Sequence, residues 1–181
     1  VIAGVQSTDR IPVLPIEEYQ RRQRRADSTC AQLWDALDAV KDPEIPVISI
    51  WELGVLQDIA LYEGLVLVTI TPTYSGCPAM EVIAEDIVSA LKQLGYSNVE
   101  IATRLAPAWS TSWIMDEAQE ALREYGIAPP GQGSGGDLVE VCCPQCASSN
   151  VHSISEFGST ACKALYKCDD CSEPFDRFKP I

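Results

Sequence analysis

The chain has 181 residues, 46% of them apolar, enough for a folded core with one small extra module, which excludes a disordered chain. Its longest apolar runs, such as LVLVTI over 65–70, are far too short to span a bilayer, and no apolar segment follows a basic start, so a soluble cytoplasmic protein is expected. The net charge of −13 is uneven, +1 over 1–27, −12 over 28–139 and −2 over 140–181, and an acidic middle repels phosphate backbones, which argues against nucleic acid as a partner.

Residues 1–27 show no sustained period and carry prolines, which predicts an extended or disordered arm, with RRQRR over 21–25 as a solvated basic cluster or helix start. From Ser28 the pattern turns helical: Leu33, Trp34, Leu37 and Val40 share a face, and the turn KDPEIP ends it. Two β-rich runs follow, Val55 to Gly64 and Leu65 to Thr73, joined at Glu63-Gly64 as a hairpin. After Pro78, the residues Val82, Ile83, Ile87, Ala90, Leu91 and Leu94 mark one face of a second helix closed by Gly95. Val99 to Leu105 is a third strand, and Met115 to Gly126 a last helix. This order predicts an α+β fold, a small two-layer α/β sandwich over 28–128. The run PPGQGSGG over 129–136 opens a flexible linker that extends to 139 and separates this domain from a small module over 140–181 with its own core.

Six of the eight cysteines fall in that module. Cys143-x-x-Cys146 and Cys168-x-x-Cys171 are separated by twenty-one residues, the spacing with which two tight turns close a four-thiolate site. About forty residues bury too little to fold alone, so the metal would supply folding free energy. Structural zinc is the expected occupant, with iron as the alternative. Cys142 competes with Cys143 in register, Cys162 is a candidate extra ligand, and His152 reads as a strand or surface residue.

One cysteine stands apart, in TPTYSGCPAM over 71–80. Pro78 suits the first helical position, which makes Cys77 the N-cap, with its sulfur among unpaired backbone amides. Those amides and the helix dipole would lower its pKa, as in redox-active cysteines, and Gly76 leaves the approach open. Cys77 is therefore a candidate reactive thiolate or cluster ligand, against the plainer reading of a half-buried cap. The α/β domain contains no histidine, which disfavours acyl chemistry, and Cys30 is its only other cysteine. A ligand to a transiently held metal or cluster needs neither a base nor a resolving thiol; a partner subunit or the recipient would complete its ligand set.

The segments DPEIPVISIWELGVLQDI (42–59), TPTYSGCPAMEVIAEDIVSAL (71–91) and RLAPAWSTSWIMDEAQEALREYGIAPP (104–130) resemble the small domain of SufT-type and cytosolic iron-sulfur assembly proteins. Together with the tail SEFGSTACKALYKCDDCSEPFDRFKPI (155–181) the chain resembles the PaaD family of phenylacetate degradation. The resemblance implies that Cys77 is the family's reactive cysteine in T-x-x-x-G-C-P, supported by Thr71, Gly76 and Pro78, with Asp42, Pro43 and Glu44 as the adjacent loop. It implies that Cys143, Cys146, Cys168 and Cys171 hold the ribbon zinc. As partners it implies the oxygenase and reductase subunits of the multicomponent phenylacetyl-CoA monooxygenase (epoxidase), which the chain would help mature as an accessory rather than a turnover enzyme, with a transient iron-sulfur cluster as cargo. A homodimer is one way to complete the ligand set. The rival expectations are a structural subunit or adaptor of the oxygenase complex, and a thiol enzyme acting on coenzyme A esters. The long arm with RRQRR and the ending KPI depart from the family pattern.

Overall fold

The structure, a computed structural model, describes residues 14–130 and 140–181. The first half of the expected arm and most of the expected linker lie outside the described residues. The rest of the arm is not extended: Ile16–Ala26 form helix α1. Glu17 and Glu18 occupy its first turn and Arg24 and Arg25 its last, each complementing the helix dipole. Nor is RRQRR uniformly solvated, since Arg21 is fully buried against Trp51 and salt-bridged to Glu18. A 3.6-residue period in charged side chains hides such a face from a reading of apolar residues.

Helix α2 (Ala31–Asp38) buries Leu33, Trp34 and Leu37. The chain then folds into two short antiparallel strands, β1 (Lys41–Asp42) and β2 (Ile45–Ser49), in place of a simple turn. Strands β3 (Leu56–Tyr62) and β4 (Leu65–Ile70) form the expected hairpin. Its tip holds Glu63 and Gly64 at φ 45° and 89°, which the two-residue turn demands and glycine adopts without strain. Helix α3 (Ala79–Gln93) crosses over to β5 (Val99–Thr103), which pairs parallel to β4, giving the order β3-β4-β5.

Alternation along β4 puts Val66, Val68 and Ile70 on the face covered by helices. Against it pack Leu33, Trp34 and Leu37 of α2 and Ala79, Ile83, Ile87 and Leu91 of α3. This is the two-layer α/β sandwich. Val82 and Leu94, expected on the buried face of α3, are exposed, because they flank the 100° stripe that the sheet and α2 cover. A 3₁₀ turn (Thr111–Trp113) and helix α4 (Asp116–Glu124) follow.

The metal-binding module has antiparallel strands β7 (Val151–Ser155), β8 (Lys163–Cys168) and β9 (Pro174–Phe178). It does not keep a core to itself. Strand β6 (Ile127–Ala128), at the end of the expected α/β domain, pairs parallel with β9, making a four-stranded sheet β6-β9-β8-β7. Phe178 and Cys162 belong to the main hydrophobic cluster, Phe178 lies 5.9 Å from Trp109 between ring centroids, and the Thr111 amide donates to the Ile181 carbonyl. The expected boundary at 128–140 therefore cuts a shared sheet: a glycine-rich connection says nothing about what packs on either side of it. Among the described residues no helix is long and apolar enough to cross a membrane.

Candidate functional site

Two thiol centres stand out. In the first, the ligand atoms of Cys143, Cys146, Cys168 and Cys171 all lie within 4.8 Å of one another. Cys143 and Cys171 sulfurs are 3.7 Å apart and those of Cys146 and Cys168 3.6 Å. A tetrahedron with metal–sulfur bonds of about 2.3 Å has edges of roughly 3.8 Å, close to those two distances, so the donor set suits zinc or iron.

The backbone builds this geometry twice. Ala147 and Ser172, each directly after the second cysteine of a C-x-x-C turn, take φ 61° and 66°. The Cys171 amide points at the Cys168 sulfur at 3.5 Å, and it leads the backbone donors that hold the Cys168 thiol down to about 7. Asn150 and Ser148 both bond the Asp170 carboxylate, and the Asp169 amide donates to the Asn150 carbonyl, which ties the two turns together. Cys142 is exposed and outside the four-sulfur group, so the register competition resolves to Cys143. His152 lies on β7 with Nδ1 3.0 Å from Asp169, an exposed pair away from the sulfurs.

The second centre surrounds Cys77. The N-cap of α3 is Pro78 rather than Cys77, because the proline already takes helical φ and ψ, so Cys77 stands one residue before the place that the sequence reading gave it. Its carbonyl accepts from the Met80 amide, and the Ala79 amide still favours its thiolate. The thiol pKa is nevertheless raised, not lowered. Burial is the largest cause, the Glu44 and Asp42 carboxylates add to it, and the Ala79 amide and Thr73 hydroxyl do not offset them. The helix-terminus argument identified a real donor but could not see two carboxylates folding back from another hairpin.

That hairpin is β1–β2. Asp42 is buried, and its Oδ1 accepts from the Glu44 and Ile45 amides at 2.8 and 2.9 Å, shaping the turn through Pro43 that presents Glu44. Burial raises the Asp42 pKa; burial and then the Asp42 charge raise that of Glu44. Thr71 is buried, its amide donates to the Val55 carbonyl, and its hydroxyl has no partner among the described residues. Ser75 and Gly76 are exposed, and a Cβ on Gly76 would meet nothing within 4 Å, which leaves the approach to Cys77 open.

The sequence reading did not single out Thr73 or Tyr74. The Tyr74 carbonyl accepts from the Cys77 amide at 3.1 Å, and the Tyr74 hydroxyl is pushed up to about 12 by desolvation and then by Cys77, Glu44 and Cys162. Cys162 is likewise not with the ribbon sulfurs: it lies against the α/β domain, its sulfur 4.0 Å from Glu44 Oε2. Cys30 lies at the start of α2, on the rim of a different groove shared with α1.

Residues 128–179 match the model of the PaaD zinc beta ribbon domain, and residues 31–103 match that of the iron-sulfur cluster assembly protein family. A protein of Escherichia coli K12, provisionally named as one of the subunits of a 1,2-phenylacetyl-CoA epoxidase, is 48% identical over 165 residues, 90% of this chain and 99% of its own length. The chain belongs to the PaaD family. An Fe-S protein maturation auxiliary factor of Porphyromonas gingivalis is 34% identical over 88 residues, 48% of this chain and 83% of that protein. A crystal structure of a DUF59 domain from Bacillus anthracis aligns over 57% of this chain and 95% of its own, at 26% identity and a TM-score of 0.48. The PaaD ribbon match begins at 128, within β6.

Proposed function

We propose that this PaaD-family chain is an auxiliary maturation factor for a phenylacetyl-CoA epoxidase, in which Cys77 accepts and hands on iron or an iron-sulfur cluster. The observation that carries it is the environment of Cys77: an accessible thiol at a helix N-terminus, two carboxylates from a neighbouring hairpin, and no imidazole in the domain. Thiol catalysis needs a base that lowers the sulfur pKa, whereas burial and then the Glu44 and Asp42 carboxylates raise that of Cys77. Carboxylates beside a protonated thiol suit cation capture. A divalent ion drawn by Asp42 and Glu44 reverses the local electrostatics and displaces the Cys77 proton as the sulfur ligates it.

In the ribbon, Cys143, Cys146, Cys168 and Cys171 would hold zinc, whose part is to fix the two turns and present a rigid surface to the client subunit. Four thiolates close the coordination sphere and leave no position for chemistry.

Iron, acid-labile sulfide and zinc per chain, measured on protein purified without oxygen, test the proposal. The wild type should hold zinc plus iron, and Cys77→Ser the same zinc with far less of that iron. Equal iron in both, or none after reconstitution, defeats it. The name of the Escherichia coli relative, which makes that protein a subunit, favours one second reading: a structural adaptor of the oxygenase complex. That reading expects stoichiometric co-purification and near-normal epoxidase activity with Cys77→Ala.

A further inference from the structure

The ribbon has five cysteines beyond Cys142, of which four surround one centre. The fifth, Cys162, is buried in the main hydrophobic cluster, on the side of the α/β domain that holds the β1–β2 turn. Its placement is over-determined. The loop before it is tied to Asp176 of β9 by the Ser159 amide at 3.2 Å and the Ser159 hydroxyl at 2.6 Å. Gly158 packs so closely that a Cβ there would collide with Asp176 Oδ1 and fall 3.3 Å from the Ala164 backbone. The Lys179 amide holds the Cys162 carbonyl at 3.0 Å, and Thr160 Oγ1 contacts the Cys162 sulfur at 3.1 Å. Next in sequence, Lys163 is buried with its Nζ 3.5 Å from the Glu44 carbonyl oxygen and 3.9 Å from Asp176. This loop therefore fixes a thiol of one module against the Glu44 carboxylate of the other.

Cys77 and Tyr74 pack against the same hydrophobic cluster that holds Cys162. The Glu44 charge acts on Cys77, and the charges of Cys77, Glu44 and Cys162 all act on Tyr74. We infer that Cys162 is the second sulfur ligand for the cargo of the Cys77 site, with Glu44 supplying an oxygen between the two thiols. The inference rests on the carrier reading above and deepens it: the missing thiol comes from the chain's own ribbon rather than from a second copy. Unlike the ribbon four, these side chains are not gathered around a common centre. The Cys162 loop is held in place, so a metal must draw the Cys77 and Glu44 side chains toward it, which suits a cargo held briefly, and two protein thiolates leave the remaining coordination positions for the ligands of a recipient. Each thiol loses its proton to solvent as its sulfur binds Fe(II); no electron changes hands.

The test uses the full-length, zinc-loaded chain without oxygen, titrated with Fe(II) alone, with sulfur neighbours read by X-ray absorption at the iron edge. Wild type should show two sulfur neighbours per iron, and Cys77→Ser and Cys162→Ser one each, with zinc content unchanged. Losing a ligand should weaken iron binding at least as much as losing an outer-shell partner, by about tenfold or more. Glu44→Gln should weaken binding but keep both sulfurs. The wild-type count needs no variant, so a poorly folding Cys162→Ser leaves the test intact. One sulfur in the wild type, or two retained in Cys162→Ser, overturns the Cys162 assignment while the carrier reading stands. Wild type that binds no iron removes the carrier reading and this inference with it.

Discussion

Cys77 shows how one side chain answers to several fields at once. The Ala79 amide favours its thiolate, but burial dominates and Glu44 and Asp42 reinforce it, so the thiol is protonated at neutral pH. Its alkylation rate should follow the thiolate fraction, with a midpoint above the ordinary thiol value of about 8.5. In iron-free protein, Glu44→Gln removes one of the two opposing charges. The midpoint should then move down, and labelling of Cys77 by iodoacetamide at pH 8, followed by mass spectrometry, should become several-fold faster. An unchanged or slower rate would mean that Glu44 does not govern this thiol.

At the scale of an element, α1 is held less by apolar burial than by one buried ion pair and a stack of rings and guanidinium groups. Arg21 donates Nε and Nη2 to Glu18 at 2.7 and 2.9 Å, and Nη1 to the carbonyl oxygens of Trp51 and Leu56 at 2.8 and 3.2 Å. Its guanidinium lies 3.8 Å from the Trp51 ring centroid, with Arg25 4.8 Å from the same centroid. Trp34 meets Trp51 edge-on at 5.4 Å, which carries the contact through to α2. Arg21→Met should cost about 3 kcal/mol by denaturant unfolding, the low end for a broken buried pair because Arg22 still holds Glu18. Arg21→Lys should recover little, since an ammonium cannot reach both the carboxylate and two carbonyls. If Arg21→Met unfolds like wild type, α1 is not part of the cooperative fold.

At the scale of the whole molecule, the ribbon and the sandwich are coupled. Pairing of β6 with β9, packing of Phe178 on Trp109, and the Thr111–Ile181 hydrogen bond cross between them. Removing the ribbon metal by chelation, or replacing Cys168 with Ser, should lower the unfolding midpoint of the entire chain, on the order of 10 °C. It should also red-shift tryptophan emission as Trp109, buried at present, meets water. Two separate transitions, with the sandwich melting at its original temperature, would show instead that the modules stand alone. The same coupling links the four-cysteine group to Cys162, since β8 runs from Lys163, beside Cys162, to Cys168.

The sequence by itself determined the local architecture: the helix of Leu33, Trp34 and Leu37, the Glu63-Gly64 hairpin, the helix after Pro78 and the paired C-x-x-C turns. Each rests on a period of 3.6 or 2, a φ that glycine accepts, or a fixed ligand spacing, all short-range properties. It also placed Cys77 among the candidates through Gly76 and Pro78 beside it, and Asp42 and Glu44 through the family resemblance alone. Only the tertiary structure decided that the Cys77 pKa is raised, that Arg21 is interior, that the ribbon sheet includes β6, and that Cys162 faces Glu44 rather than the ribbon sulfurs. Burial and charge act through space, between residues as far apart as Glu44 and Cys162, and no local pattern in the chain records that distance.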